Sequence, residues 1–447
     1  MPQASRPRVV ITGMGVVSPN GIGADEFAHG CREGRSGVSP LRIDTTGLRS
    51  SVAAAVHDFD PTALLEPAEL RRIPRMVPLA LAASREALAQ ARLWTNDSPL
   101  KREPSGSLRG TSEQAAAGPH LLLDKEGSRT IGVSLGTGGG GLAFVEEQYK
   151  TFFLQGTVSL YSITAGTHGN LSSELSIALG LRGPSHVLST GCTSSTDAIG
   201  HAMMMIRAGV IPMMLAGGAD APISRGILTA FEKMRVVSTR HWEDAHSASR
   251  PFSADRDGFI LGEGAWMFVL EERDRALHRG ATILAELAGY GSTCDAYHRV
   301  QIAPDVEEPV RAIEMALADA GAAKDEIDYA NLHGTGTALN DKLETAAMKR
   351  CFGAGAASIP CSSTKSMIGH PQGACGAAGL AATVLALQDG IFHPTINLDR
   401  PDPDCDLDYI PNSARKLPAE VALCNCIAFG SKNSALIVRR SDMLFSL

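Results

Sequence analysis

The stretch "LSTGCTSSTDAIGHAMMMIRAG", Leu188–Gly209, decides the fold of this chain. It sets one cysteine, Cys192, among Gly, Ser, Thr and Ala at the point where a helix is predicted to begin. Small residues bury little apolar area, so stability alone does not explain their choice. They do allow neighbouring layers to approach closely. The stretch therefore predicts a central helix that is packed between two sheets.

The same pattern recurs later in the chain. The first series is "TIGVSLGTG", the Cys192 stretch and "IPMMLAGGAD"; the second is "YANLHGTGT", "SSTKSMIGHPQGACGAAGLAATVLALQDG" and "ALCNCIAFGS". Apolar strands that alternate with helices predict a mostly parallel sheet covered on both faces. Two such sheets that share the small-residue helices give a five-layer αβαβα fold of two duplicated halves. The predicted halves are residues 1–275, with the cysteine, and 276–447, with two glycine-flanked histidines.

Composition excludes several classes of protein. A net charge of -7 over 447 residues argues against general binding to nucleic acid or anionic membranes. The first residues lack a signal-peptide core, and no apolar run is long enough to span a membrane. Nine scattered cysteines without a C-x-x-C pair predict reduced thiols. The expectation is a cytoplasmic protein.

Several local patterns predict single elements. Arg8–Ser18 is a predicted buried strand, and Pro74–Leu93 has the periodicity of a helix. The polar, Gly/Pro/Ser-rich segment Asn96–Ser128 predicts a surface insertion or mobile loop. "GTGGGGL", Gly136–Leu142, formally matches a dinucleotide-binding loop. No acidic residue ends a second strand about 20 residues later, so the pattern argues against a nucleotide site.

Three residues of the two halves are candidates for chemistry. Cys192 stands at a helix start, where partial positive charge is expected to lower the pKa of the thiol and free N–H groups can bind an oxyanion. His333 and His370 both lie in glycine-rich turns of the kind that carry sites in α/β sheets. One nucleophile and two imidazoles suit acyl transfer with stabilisation of an anionic intermediate. The alternatives are a buried structural thiol and, for each histidine, a hydrogen-bonded core or surface imidazole.

With these residues in place, the chain resembles the elongating β-ketoacyl-acyl-carrier-protein synthases of the thiolase fold, including type II polyketide ketosynthases. The resemblance runs from "VVITGMGVVSPNG" to "AFGSKNSALIV" and rests on six motifs in the same order: "STGCTSS", "RPFSADRDGFILGEGA", "YGSTCDAYH", "LHGTGTALND", "STKSMIGHPQGACGAAG" and "DPDCDLDYIPN". It implies the fold, a decarboxylative condensation with malonyl carrier protein, and no cofactor or metal. It also implies an obligate dimer, of this chain with itself or with a chain-length-factor-like subunit.

The resemblance also implies roles for catalytic residues. Cys192 takes the acyl group as a thioester, while His333 and His370 hold the malonyl thioester and stabilise its enolate. Lys365 is expected to order the site by pairing with Glu344.

Further roles concern binding. The backbone N–H groups of Cys192 and Phe429 match an oxyanion hole, with Phe429 also resembling a gate. Thr335 and Thr337 match threonines that contact the pantetheine arm. Gly139 stands where a branched side chain is common, which predicts a wider acyl pocket.

Two features depart from the family pattern or compete with it. Ser431 and Lys432 stand where the family commonly has a glycine and then Thr or His, which predicts a stiffer or reshaped gating loop. Degradative thiolases use a second cysteine, so Cys375 makes such an enzyme an alternative. The small residues around Cys375 favour a structural role in a packed helix instead. Retention of Cys192 argues against a chain-length-factor role, and a cysteine acyltransferase or hydrolase stays open.

Surface patterns give two further expectations. Arg71, Arg72 and Arg75, with Arg235, predict a basic patch for an acidic carrier protein, against the alternative of a solvated helix face. Cys294 and His298 resemble a metal pair, but no further ligands stand at zinc-like spacing, so no metal is expected there.

Overall fold

The computed structural model describes residues 6–95 and 120–441. The strands, in chain order, are β1 (Val9–Ser18), β2 (Gly21–Ile22), β3 (Ser39–Pro40), β4 (Val52–Ala53), β5 (Trp94–Thr95), β6 (His120–Leu121), β7 (Ile131–Gly136), β8 (Ser185–Leu188), β9 (Met213–Asp220), β10 (Gly264–Glu272), β11 (Ala285–Cys294), β12 (Tyr329–Asn331), β13 (Cys361–Ser362), β14 (Ile391–Phe392), β15 (Arg415–Lys416), β16 (Val421–Ala428) and β17 (Lys432–Arg440).

The helices follow the predicted alternation. They are α1 (Ala24–Arg32), α2 (Pro67–Leu70), α3 (Met76–Gln90), α4 (Lys125–Ser128), α5 (Leu142–Gln155), α6 (Ser162–Gly166), α7 (Asn170–Leu179), α8 (Ser194–Arg207), α9 (Arg225–Met234), α10 (Arg273–His278), α11 (Glu307–Ala320), α12 (Ala338–Phe352), α13 (Lys365–Ile368) and α14 (Cys375–Asp389). Short 3₁₀ turns precede the two central helices, at Gly191–Thr193 before α8 and at Gln372–Ala374 before α14. Thus β1 and α3 confirm the strand and the helix predicted near the N-terminus.

The sheet confirms the internal repeat. Its order is β13-β12-β16-β17-β11-β1-β10-β9-β7-β8, so each half contributes five strands in the same arrangement. In each half a middle strand pairs in parallel with two neighbours, β7 with β8 and β9, and β12 with β13 and β16. The halves meet where Val9–Ile11 of β1 pairs with residues 285–287 of β11.

The expectation of a mostly parallel sheet is wrong. The long strands β1, β10, β11 and β17 all pair antiparallel with their neighbours. A tight connection rather than a crossover helix joins β16 to β17, so their directions must alternate. The sheet is therefore mixed, with the parallel strands at its two outer ends.

The two predicted sheets are the two halves of one continuous sheet, joined where β1 pairs with β11, and five layers form around α8 and α14. These two helices pack on each other, and each contacts strands of both halves. On the outside, α3 covers β1 and β10 while α11 covers β11 and β17. The chain therefore has the predicted five-layer thiolase fold. The division into residues 1–275 and 276–447 as domains stays a prediction.

Close approach of the central layers explains the small residues. A Cβ on Gly376 of α14 would lie 2.0 Å from Thr196 Oγ1 of α8. A Cβ on Gly200 would lie 2.4 Å from the ring of Tyr290 on β11. Larger side chains at these positions would push the layers apart.

Two other expectations concern the edges of the described chain. Of the Asn96–Ser128 insertion, residues 96–119 lie outside the described residues; at its base, Trp94 pairs with Leu121 in the β5–β6 ladder. None of the described helices is long and apolar enough to cross a membrane.

Candidate active site

Cys192 lies at the sharp turn between β8 and α8. Gly191 has a φ of 74°, a conformation that favours glycine, and it redirects the chain into the 3₁₀ turn. Ser194 fixes this turn, because its hydroxyl donates to Gly191 O at 2.5 Å and accepts from Thr190 N at 2.9 Å. The Cys192 side chain is held there at 3% exposure.

The two predicted histidines meet at this sulfur. His370 Nε2 is 3.1 Å from Cys192 Sγ, and the ring of His333 lies 5.4 Å from that of His370 at an angle of 86°. Backbone hydrogen bonds clamp His370 on both sides, from its N–H to Ile260 O at 2.7 Å and from Gly262 N to its carbonyl at 3.0 Å. The sequence therefore identified three residues that the fold brings into one place.

His333 follows β12 and is positioned by a buried carboxylate. Glu344 of α12 accepts the backbone N–H groups of His333 and Gly334, both at 2.7 Å. Asn425 Nδ2 donates to the same carboxylate at 2.7 Å. Glu344 thus holds the turn that carries the imidazole.

The expected ion pair between Lys365 and Glu344 is not found among the described residues. Lys365 Nζ instead donates to the backbone carbonyl of His333 at 2.7 Å. The two side chains therefore act on one residue from different sides, since Glu344 accepts its N–H and Lys365 binds its C=O. That Lys365 orders the site stays a prediction, and the contact through which it would do so is with the backbone of His333.

Burial governs protonation in this site. It lowers the pKa of His333 to about 3, with the Lys365 ammonium acting in the same direction. It also lowers the pKa of His370. Burial raises the pKa of Glu344 to about 7, against the three N–H groups that favour its ionised form. Both imidazoles are therefore neutral at physiological pH.

The expectation of a lowered pKa at Cys192 is wrong. Burial raises the pKa of this thiol, and it outweighs the Lys365 ammonium and the backbone N–H of Phe429, which act in the opposite direction. The resting group is a thiol beside a neutral imidazole. The backbone N–H of Phe429 favours the charged form of the sulfur, so it is placed to donate to an oxyanion on a carbon bonded to that sulfur.

A cavity of about 270 Å³ opens in front of these groups. Cys192, His333 and His370 line its floor, and Thr335 and Thr337 line it with their hydroxyl oxygens 2.9 Å apart. Apolar side chains complete the wall, among them Val236, Phe259, Ile302, Ile427 and Phe429. The cavity thus presents both hydroxyl groups and apolar side chains in front of the cysteine.

The sequence analysis missed two buried carboxylates that hold backbone turns next to the site residues. Asp341 is fully buried and accepts the backbone N–H groups of Phe252, Thr335 and Gly336. Asp220, also fully buried, ends β9 and accepts the hydroxyl of Thr137 at 2.7 Å. An aspartate directly after an apolar strand, as in "GGAD", was the available signal.

Asp220 also explains the glycine loop. It accepts the N–H groups of Gly138 and Gly373 at 2.7 Å each and that of Gly139 at 2.9 Å. The N–H groups that a phosphate would need are therefore occupied by a carboxylate. Gly139 does not line the cavity in front of Cys192, and a Cβ there would lie 3.3 Å from Asp220 Oδ1. Its effect on the acyl pocket stays a prediction.

The predicted basic patch separates into different environments. Arg75 binds the buried Glu263 through Nε and Nη2, at 3.0 Å and 2.8 Å, so its guanidinium is already engaged in an ion pair, and its part in docking stays a prediction. The Arg72 guanidinium lies over the ring of Tyr161, 5.3 Å from its centre, and Arg71 beside it is exposed. Arg235 is exposed at the cavity.

The structure also shows the surroundings of the other residues that the sequence analysis singled out. His298 Nδ1 accepts the N–H groups of Val300 and Gln301 at 3.1 Å each, and Cys294 is exposed; the absence of a metal at this pair stays a prediction. Cys375 is not confined to helix packing, because its thiol donates to the Cys192 carbonyl at 3.2 Å. Ser431 has a φ of 65° and its hydroxyl donates to His298 O at 2.9 Å.

Comparison with known families gives a consistent result. Residues 6–276 match the model "Beta-ketoacyl synthase, N-terminal domain" and residues 284–399 match the C-terminal domain model. The chain is 37% identical to 3-oxoacyl-acyl-carrier-protein synthase 2 of Synechocystis over 98% of this chain and 100% of that protein. It is 38% identical to the actinorhodin polyketide putative beta-ketoacyl synthase 1 of Streptomyces coelicolor, covering 97% and 89% of the two chains.

Solved structures agree with these relatives. A type II polyketide ketosynthase bound to a hexaketide and in complex with its acyl-carrier protein superimposes with a TM-score of 0.84 at 32% identity, covering 98% and 100% of the chains. The ishigamide ketosynthase/chain length factor superimposes with a TM-score of 0.83 at 33% identity, with the same coverage.

Proposed function

Because the chain belongs to the β-ketoacyl synthase family, we propose that Cys192, His333 and His370 perform its decarboxylative condensation of an acyl chain with a malonyl thioester. The observation that carries this assignment is the 3.1 Å contact between Cys192 Sγ and His370 Nε2, with His333 beside them in the same cavity.

The first step loads the nucleophile. The Cys192 thiol gives its proton to His370 Nε2 as the sulfur attacks the acyl thioester carbon. The Phe429 N–H stabilises the charge that develops on the carbonyl oxygen. The carrier thiol leaves and takes up the proton from His370. This transfer leaves an acyl thioester on Cys192 and a neutral imidazole.

The second step forms the carbon–carbon bond. The malonyl carboxylate leaves as carbon dioxide, and its electron pair forms an enolate on the remaining thioester. The imidazole of His333, neutral because burial lowers its pKa, donates an N–H hydrogen bond to that enolate oxygen. His370, also neutral, adds a second one after its proton has exchanged between the two steps from Nδ1 to Nε2. The enolate carbon attacks the Cys192 thioester, and the released thiolate is protonated from solvent.

The substrates of this reaction are groups carried by a protein. A structural neighbour of this chain holds its acyl-carrier protein, and another is a ketosynthase with a chain length factor. We extend both partner types to this chain, with acyl and malonyl groups arriving on a phosphopantetheine arm along Thr335 and Thr337. The nine free cysteines favour a reducing compartment, the cytoplasm.

An exposed apolar surface favours a second subunit. Phe153, Leu160 and Ile163, on and between α5 and α6, are 80%, 90% and 79% exposed. Within the described residues β8 is a sheet edge that pairs with β7 alone. Large exposed apolar patches and free edges are unusual on monomers. The surface therefore suits a subunit of the same fold, either a second copy or a chain-length-factor-like partner.

Carbon dioxide release from a malonyl thioester tests the assignment. We expect release by the wild type and by the Cys192→Ala variant, because decarboxylation needs the two imidazoles rather than the sulfur. A structural subunit without condensing activity would release none in either form. A cysteine hydrolase would instead turn over acyl thioesters without malonyl substrate, and Cys192→Ala would abolish that turnover.

A further inference from the structure

A second group of soft ligands lies on the other side of His333. Cys375 Sγ at the start of α14 and Cys426 Sγ on β16 are 3.7 Å apart. His333 Nδ1 is 4.0 Å from the first sulfur and 3.4 Å from the second. All three side chains are at most 3% exposed. The proposed condensation uses Cys192 and His370 but neither of these thiols.

The spacing fits one tetrahedral metal ion. Zinc binds thiolate sulfur at about 2.3 Å and imidazole nitrogen at about 2.0 Å, so tetrahedral ligands are separated by about 3.8 Å for two sulfurs and about 3.5 Å for sulfur and nitrogen. The separations between Cys375, Cys426 and His333 lie within about 0.5 Å of these values. The Cys192 carbonyl oxygen is 3.2 Å and 3.3 Å from the two sulfurs, within reach as a fourth ligand.

The donor set selects the class of ion. Two thiols and one imidazole suit soft or borderline ions such as Zn²⁺ and Cd²⁺, whereas Mg²⁺ and Ca²⁺ require oxygen ligands. Among the described residues, the two sulfur atoms are also the only hydrogen-bonding neighbours of His333 Nδ1. The nitrogen therefore loses no other partner when it binds an ion.

We propose that this chain binds one thiophilic divalent ion between Cys375 Sγ, Cys426 Sγ and His333 Nδ1, and that the bound ion slows decarboxylation. On binding, each thiol releases one proton to water, and the two thiolates neutralise the ion without any change of oxidation state. The ion then fixes the His333 imidazole, which the condensation uses. It also coordinates the carbonyl oxygen of Cys192. The binding claim stands independently; the effect on rate rests on the proposed function of His333.

Binding is tested on the reduced full-length protein with Co²⁺ and Cd²⁺. We expect one equivalent by native mass spectrometry and a thiolate-to-cobalt charge-transfer band in the near ultraviolet. Cys375→Ala and Cys426→Ser should each lose the band. Cys424→Ser is the matched control, because Cys424 is buried on the same strand and its thiol donates to Thr383 instead. Cys192→Ala should keep the band.

The same experiment distinguishes the alternatives. Loss of the band in Cys192→Ala with retention in Cys375→Ala would place the ion at Cys192, His333 and His370 and overturn the proposal, as would no binding at all. If a variant does not fold, alkylation of the wild type decides: bound Cd²⁺ must protect Cys375 and Cys426.

Activity is measured separately, on a background without the nucleophile. Cd²⁺ should lower carbon dioxide release by Cys192→Ala and leave the Cys192→Ala/Cys375→Ala variant unaffected. Equal inhibition of both variants would refute the effect on rate. Absence of carbon dioxide release without metal would instead count against the proposed function, while the cobalt band would still report binding.

Discussion

Cys192 Sγ lies 3.1 Å from His370 Nε2, although 178 residues separate them in the chain. The contact exists because the two halves of the fold bring their central helices together. Cys192 precedes α8 and His370 precedes α14, and the two helices pack on each other. The duplicated architecture thus supplies the nucleophile from one half and the imidazoles from the other.

Glu344→Gln should impair the half of the reaction that depends on His333. Two oxygens of Glu344 accept N–H groups, from His333, Gly334 and Asn425. A glutamine presents its NH₂ group to one of these donors, and an unmade buried hydrogen bond costs about 1–3 kcal/mol. We expect malonyl decarboxylation to fall by about tenfold or more, with acylation of Cys192 unchanged. Substitution of the exposed Glu126 by Gln serves as the control. Equal rates of malonyl decarboxylation in Glu344→Gln and Glu126→Gln would contradict the role of Glu344.

Ser431 should stabilise the loop that follows Phe429, whose gating role stays a prediction. Its hydroxyl donates to His298 O and accepts from His298 N at 3.2 Å, while its φ of 65° is costly for any residue but glycine. Ser431→Ala loses the bonds and keeps the strain, whereas Ser431→Gly relieves it. We expect the alanine variant to be less stable than the glycine variant by about 1 kcal/mol. Denaturant unfolding measures this, and the reverse order would refute it.

His393 should make stability depend on pH. Burial lowers its pKa to about 4, whereas an unfolded histidine has its usual pKa near 6.5. Between these values the unfolded state binds one more proton, so the free energy of unfolding falls as pH falls. We expect His393→Gln to remove about 1.4 kcal/mol per pH unit from the slope between pH 6.5 and 4. Parallel curves for wild type and variant would contradict this.

Arg235 should contribute to recognition of a carrier protein. It is exposed at the cavity that holds Cys192, and long-range attraction to an acidic partner raises encounter rates. We expect Arg235→Glu, and to a smaller extent Arg72→Glu, to raise KM for carrier-bound acyl groups. The matched control is Arg129→Glu, whose guanidinium pairs with Glu126. An equal rise with a small thioester would exclude docking as the cause.

Much of the fold follows from local patterns. The small residues of α8 and α14 predicted central helices, and the contact between Gly376 and Thr196 shows why only small side chains fit there. Cys192, His333 and His370 were found because each stands in a glycine-rich turn between regular elements. The internal repeat predicted that both histidines point towards Cys192, and the structure confirms that the three residues meet.

Other features depend on tertiary structure that the sequence does not encode locally. The prediction of a mostly parallel sheet was wrong because apolar runs look alike in parallel and antiparallel strands. The prediction that Lys365 pairs with Glu344 was wrong because a long side chain reaches a carbonyl as readily as a carboxylate. The predicted lowering of the Cys192 pKa was wrong because the effect of burial on the thiol is larger than that of the helix terminus. The convergence of Cys375 and Cys426 has no signature in spacing, since they lie on separate elements.

Mass spectrometry of the acyl group on Cys192 tests the central claim most directly. The wild type is incubated with an acyl thioester and then with a malonyl thioester, and the cysteine-containing peptide is weighed after each addition. We predict an acyl adduct on Cys192 that malonyl thioester discharges as a β-ketoacyl product, and an adduct that persists in His333→Ala. An adduct on another residue, or discharge at the wild-type rate without His333, would contradict the account.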